Sequence, residues 1–191
     1  MELDDLKVEL VNRMPTARYE HVLRVAILAK KLAETYAVSV EAAEQAALFH
    51  DIAKFMDKSK LRSIMEDAQL DERLFIFHHE LWHGPVGAYI ANKEFGVIDQ
   101  DVLCAIRYHT TGRVGMSDLE KIIYIADMLE PGRDFPGIEQ LREIAFEDLH
   151  EAMKACIHQS VQFLISKEVP VYPDSIDCYN EHMMQRGNVK E

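Results

Sequence analysis

Residues 42–54 read AAEQAALFHDIAK, and this stretch decides the fold class. Ala43, Ala46, Ala47 and His50 recur at helical spacing behind Ser39, a residue type suited to an N-cap, so a helix with one apolar side is expected. Positions 46, 47, 50 and 51 share that side, which puts the doublet His50-Asp51 at the end of the stripe, facing the core. An Asp in that position is costly unless its charge is paired or bound to a metal ion. The doublet therefore reads both as the end of a packed helix and as one piece of a site.

The same 3.6-residue period runs through most of the chain on either side. Upstream, after Pro15-Thr16, Val22, Val25, Ala26, Ala29, Leu32 and Ala33 mark one helical face. Downstream, a short helix is expected after Ser59, carrying Leu61, Ile64 and Met65; another opens at Gly84-Pro85 and closes at Gly96. Asp99 is placed to cap a helix with Val102, Ala105, Ile106 and His109 on one side, and Ser117-x-x-Glu120 is a capping-box pattern before the run IIYIADML. Pro131-Gly132 and Pro136-Gly137 bracket a turn, followed by two helices over about 138–148 and 150–166. The tail EVPVYPDSIDCYN, residues 168–180, reads as an ordered loop held by Pro170 and Pro173. No stretch alternates long enough for a sheet, and no repeat or linker interrupts the chain. The expectation is one all-α domain over residues 1–191, with a motif-bearing core of about 15–137 and C-terminal helices and loop over 138–191.

Composition narrows the function. A hydrophobic fraction of 48% in 191 residues suits one core and is too high for disorder. The net charge of −12 argues against a general nucleic-acid binder, because neutralising phosphates needs a basic surface. It leaves room for a small polyanion, since a metal ion and a few basic side chains reverse the field inside one cleft. No run reaches the roughly 18 apolar residues of a membrane span, and the acidic start MELDDLKVEL does not resemble a signal peptide. Cys104, Cys156 and Cys178 are odd in number, widely spaced and without a CxxC, which fits a reducing cytoplasm. The expected partner is a small molecule rather than a membrane or a nucleic acid; a homodimer is compatible with the sequence.

Further candidates for the site lie on other helices. His21 falls close to the apolar stripe after Thr16, and Asp127 follows Ile122, Ile123 and Ala126 inside IIYIADML. His109 ends the face of Val102, Ala105 and Ile106, and His83 precedes Gly84-Pro85. One His on an apolar face is most often a hydrogen-bonded core residue, and Asp127 alone would read as the partner of an Arg. Their coincidence points instead to one shared metal site with His21, His50, Asp51 and Asp127 as ligands. Imidazole and carboxylate without thiolate suit iron, manganese or a similar divalent ion with open positions, more than a closed structural zinc site. Such openness is what phosphate hydrolysis needs. The string His79-Glu80-Leu81-Trp82-His83 also satisfies H-E-x-x-H, the signature of helical zinc proteases. That motif requires both histidines on one continuous helix, whereas Gly84-Pro85 after His83 marks a helix start, and the protease reading leaves Asp51 and Asp127 unexplained.

The ordered set His21, His50-Asp51 and Asp127, with His83 and His109 between, resembles the HD-domain superfamily of helical metal-dependent phosphohydrolases. The strings RYEHVLRV, LFHDIAK, LWHGPVGA, AIRYHTTG and YIADMLEPGRDFPG are similar to the bacterial HD-type symmetrical diadenosine tetraphosphate (Ap4A) hydrolases, over about residues 15–137. The resemblance implies an iron-dependent enzyme, with one or two ions, that splits Ap4A into two ADP. Under it His21, His50, Asp51 and Asp127 match metal ligands, while Asp51, His83 and His109 serve catalysis. His83 and His109 match positions that hold a second ion or touch substrate phosphates; one of them, if free, passes a proton to the leaving oxygen. Lys54 and Arg133 resemble phosphate-binding positions, Thr110 and Thr111 would donate to the same oxygens, and Tyr172 would stack on a purine. His21, Asp51 and Asp127 would meet the substrate together with these. His78, His79, His150, His158 and His182 are left as surface or structural residues. The chain departs from the family in its tail, where Cys178-Tyr179-Asn180 stands in place of an expected Arg-Asn pair closing a Pro-containing loop. A nucleotidase, triphosphohydrolase or cyclic-nucleotide phosphodiesterase of the superfamily would use the same ligands, as would a non-catalytic metal-bound nucleotide sensor. Reaction products and turnover separate these readings.

Overall fold

The helices begin where side chains can satisfy their first free N–H groups. In the computed structural model, which describes residues 3–184, α1 runs Leu3–Arg13, α2 Thr16–Thr35, α3 Val40–Phe49, α4 Lys58–Asp67 and α5 His83–Lys93. After these come α6 Gln100–Tyr108, α7 Asp118–Leu129, α8 Ile138–Glu147, α9 Leu149–Ser166 and α10 Pro173–Met184, with 3-10 turns over Glu72–Ile76 and His79–Trp82. There is no strand among the described residues. Ser39 accepts a hydrogen bond from the Ala42 N–H, Asp99 from that of Asp101, and Ser117 and Glu120 close a capping box in both directions. Asp57, not Ser59, caps α4. Gly96, at a φ of 71°, closes α5: its N–H bonds the Asn92 carbonyl while Val97 reaches back to Ala91.

Four helices enclose the core around the site. α2 packs on α3 and α7, α3 on α6 and α7, and α6 on α7. The stripe from Val22 to Ala33 is buried as the periodicity implies, and His21 is buried with it. α3 stops at Phe49, one residue before the doublet; His50 is its C-cap, and residues 50–55 continue as tight turns with Ile52 bonded to Phe49 and Lys54 to Asp51. Asp51 thus faces inward from a turn rather than from the helix itself. α5 approaches α6 closely because Gly84 has no side chain: a Cβ there would lie 2.7 Å from the Arg107 carbonyl oxygen.

The tail corrects the loop expected over residues 168–180. Pro173 is the first residue of α10, where its missing N–H costs nothing, so it opens a helix instead of fixing a loop. Cys178 and His182 are buried on this helix, which packs on α9. Cys178 seats against Gly112: a Cβ at Gly112 would sit 2.8 Å from its sulfur, and the φ of 65° there also favours glycine. Asn180 is exposed, so the Cys178-Tyr179-Asn180 segment is helix surface and core rather than a loop end. The expected C-terminal segment beyond 184 lies outside the described residues. Among the described residues, no helix is long and apolar enough to cross a membrane.

Candidate metal centre

Six ligand-type side chains converge from five places in the chain. His21 projects from α2, His50 and Asp51 from the end of α3, His83 from the first residue of α5, His109 from the C-cap of α6, and Asp127 from α7. All are buried except Asp127, whose side chain is 20% exposed. Asp51 sits between two groups. Its Oδ2 is 3.1 Å from His50 Nε2 and 3.7 Å from His21 Nε2, while its Oδ1 is 3.3 Å from His83 Nε2 and 4.0 Å from His109 Nε2. Asp127 Oδ1 lies 3.1 Å from His21 Nε2 and 3.9 Å from His50 Nε2.

The outer nitrogen of each imidazole is tied down. His50 Nδ1 donates to the Ala47 carbonyl at 2.6 Å, His83 Nδ1 to that of Glu80 at 2.5 Å, and His109 Nδ1 to that of Ile106 at 2.7 Å. His21 Nδ1 donates to Glu130 Oε1 at 3.0 Å. With the proton fixed on Nδ1, every Nε2 turns a lone pair inward, the tautomer a metal ligand requires. His83 and His109 bring two such lone pairs to 3.0 Å, a repulsive contact that a proton or cation relieves. Asp51 Oδ1 and the Nε2 atoms of His21 and His50 are buried without a hydrogen-bond partner, while Asp51 Oδ2 meets the Arg18 guanidinium. Buried polar atoms are normally satisfied, so these orphans fit a cation. Ligand atoms about 2.1 Å from one ion at right angles stand about 3 Å apart, the spacing of the closest pairs here. The sets His21/His50/Asp127 and His50/Asp51/His109 each lie within 4.8 Å.

Electrostatics follow from this crowding. Burial pushes Asp51 upward, but His50 and His83 outweigh it and hold the carboxylate well below its ordinary range. Burial raises Asp127 as well, but His21 and His50 outweigh it and the net shift is strongly downward. Burial likewise depresses His50, yet Asp51 overcomes it and the net shift is upward. His109 has burial and the neighbouring His83 and His50 acting together, and falls to about 3. Ionised carboxylates beside a neutral His109 are the protonation states that bind a cation.

The remaining candidates divide. Thr110 reaches the centre, its Oγ1 3.0 Å from His109 Nε2. The Thr111 hydroxyl is committed to the Gly112 carbonyl, so it is not a spare donor. Arg133 is held by Asp127 through both Oδ1, at 2.9 Å, and the backbone carbonyl. Lys54 pairs with Glu80 at 2.6 Å. That pairing also disposes of the H-E-x-x-H pattern: its Glu is half-exposed and bound to Lys54, and its two histidines lie on a 3-10 turn and on α5. Tyr172 is not brought to the centre. Its ring is 4% exposed, meets Phe77 edge-on, lies under Arg73, and its hydroxyl donates to Asp71. His182, left as structural, is buried and stacked on His150.

Several functional residues escape a reading of the sequence. Arg18 contacts Asp51 Oδ2 directly from α2. Glu130 binds His21, Arg24 at 2.6 Å and the Gly132 N–H at 2.6 Å. Arg142 on α8 ties the same turn by donating to the carbonyls of Leu129, Glu130 and Arg133. The charge-rich strings RYEH and EPGR were the signals for Arg18 and Glu130, Arg142 lies in neither, and no such string says which partner a folded chain provides.

All-α packing around a buried His/Asp cage defines the class: the chain belongs to the HD domain family, whose sequence profile matches residues 18–132. It is 45% identical over 163 residues to the symmetrical bis(5'-nucleosyl)-tetraphosphatase of Bacillus subtilis, covering 85% of this chain and 88% of that protein. It is 38% identical over 193 residues to the protein of the same name from Staphylococcus aureus, covering both in full. A solved structure from Clostridium acetobutylicum, described as a predicted HD superfamily hydrolase involved in NAD metabolism, aligns with a TM-score of 0.93 at 37% identity. That alignment covers 97% of this chain and 99% of the other.

Proposed function

We propose that this chain hydrolyses diadenosine tetraphosphate symmetrically, releasing two molecules of ADP. The observation that carries the reading is Asp51, fully buried, with one oxygen turned to His21 and His50 and the other to His83 and His109. His21, His50, Asp51 and Asp127 would hold one ion and Asp51, His83 and His109 a second. Iron suits this nitrogen and oxygen donor set, as manganese also does. When bound, a divalent cation supplies Lewis acidity toward phosphoryl oxygens and lowers the pKa of water.

The chain's own side chains do the rest. Arg133, anchored by Asp127 and 39% exposed, presents its guanidinium at the mouth of the site, where it neutralises charge building on the phosphates. Lys54 adds a second positive charge once a phosphate competes with Glu80 for it. The Thr110 hydroxyl donates to a phosphoryl oxygen beside His109. Of the two histidines proposed for the ADP leaving oxygen, His83 rather than the neutral His109 would take up a second proton at its inward Nε2, where it is not a ligand, and pass it on. Cys104, Cys156 and Cys178 are free thiols, in keeping with a reducing cytoplasm.

The test is an Ap4A product assay on anaerobically purified protein, with its metal content measured. ADP alone is the expected product; AMP plus ATP would overturn symmetrical cleavage. Asp51→Asn should lower turnover by at least about a thousandfold and strip the metal, since it removes the carboxylate whose two oxygens face the His21/His50 and His83/His109 pairs.

A further inference from the structure

A cleft of about 390 Å³ opens directly beside the cage. His109, Asp127 and Arg133 form the side it shares with the metal centre; Phe135, Gln159 and Phe163 form the side facing away. Its size falls in the range of small-molecule sites. On the other side of Thr110, which lines both, the neighbouring cavity is only about 70 Å³. One side of the centre is therefore roomy and aromatic, the other cramped.

Two residues of the far wall keep chemistry open to a ligand, although the Lys167 ammonium lies 5.6 Å from the Phe163 ring centroid. Phe163 is 56% exposed on α9, a large apolar ring left at the lip of the cleft. The Gln159 amide, one turn earlier, makes no hydrogen bond among the described residues. A phosphate chain held at Arg133 and the cage places its nucleoside next to these groups. Aromatic rings offer a base a stacking face that tolerates any base. A Gln amide matches adenine's adjacent amino donor and ring-nitrogen acceptor, whereas the corresponding edge of guanine presents two acceptors.

We propose that this cleft is the subsite for one adenine nucleoside of the substrate, with Phe135 and Phe163 stacking on the base and Gln159 reading its edge. The ligand class rests on the nucleotide reading above. The aromatic platform is supplied by α9 and the turn before α8, not by Tyr172.

Binding of ADP and GDP to the metal-loaded full chain tests the subsite independently of cleavage, with KM and kcat for Ap4A measured alongside. Phe163→Ala should weaken both nucleotides about tenfold. Gln159→Leu should weaken ADP about tenfold but leave GDP within about twofold. The KM for Ap4A should rise with the ADP constant in each variant while kcat holds. Unchanged ADP affinity in both variants overturns the subsite, whatever the wild type does to Ap4A. Weakened ADP binding in a protein that yields AMP plus ATP would retain the subsite and reject symmetrical cleavage.

Discussion

Glu130 accepts hydrogen bonds from His21 Nδ1, the Arg24 guanidinium and the Gly132 N–H at once. Burial alone would raise its carboxyl, but Arg24, His21 and Gly132 outweigh that and hold it at about 2. It is therefore an anion that keeps the His21 proton on the outer nitrogen and the lone pair of Nε2 pointing inward. Glu130→Gln preserves shape but weakens that acceptor, so metal affinity should fall roughly 10–100-fold. Titration with Fe(II) or Mn(II) reads this directly; an unaltered affinity would mean that packing alone orients His21. Legibility differs sharply at this scale. His50, Asp51 and Asp127 stand out because a polar group in an apolar stripe is anomalous. Glu130, Arg18 and Arg142 do not, because a charged residue beside a turn or on a helix flank is ordinary until the fold supplies its partner.

Among the elements, α10 is held at its start by an ionic clasp. Asp71 accepts from the Arg73 guanidinium and from the Tyr172 hydroxyl at 2.7 Å, and Arg73 reaches Asp174 in the first turn of α10 at 3.0 Å. Hydrogen bonding to Arg73, against some opposing burial, lowers Asp71 from 3.8 to about 2. A carboxylate depressed on folding contributes stability above its unfolded pKa and loses it as pH falls through the folded one. Docking of α10 should thus be firm above about pH 4 and loosen toward pH 2. Asp71→Asn should remove that step, seen by limited proteolysis of α10 across the range; a step that persists belongs to another carboxylate. This helix is also where periodicity failed. Pro170 and Pro173 are breakers within a helix but starters at its first position, and tertiary contacts, the docking of Cys178 against Gly112 among them, decide between the two. The capped helices before it were legible because Ser39, Asp99 and Ser117 carry their instruction locally.

Across the whole molecule, ligands drawn from residues 21 to 127 mean that a bound ion cross-links most of the core. Anything that binds the folded chain alone stabilises it by mass action. Chelation should therefore lower Tm, by more than about 5 °C if the ion contributes more than about 2 kcal/mol. The Asp51→Asn protein should melt at one temperature with or without chelator. Equal melting of the wild type in both conditions would show a centre that the fold does not depend on.

The six ligands are not mounted alike. His21 and Asp127 stand in the interiors of α2 and α7, where neighbouring turns fix them, whereas His50, His83 and His109 occupy helix ends. One half of the cage is set by helix interiors and the other by helix junctions. Under the two-ion reading proposed above, the pair set by two helix interiors should keep its grip longer, so stepwise chelation should remove the ion between His83 and His109 first. It also means that drift in a few junction residues could retune the spacing of the centre without repacking a single helix.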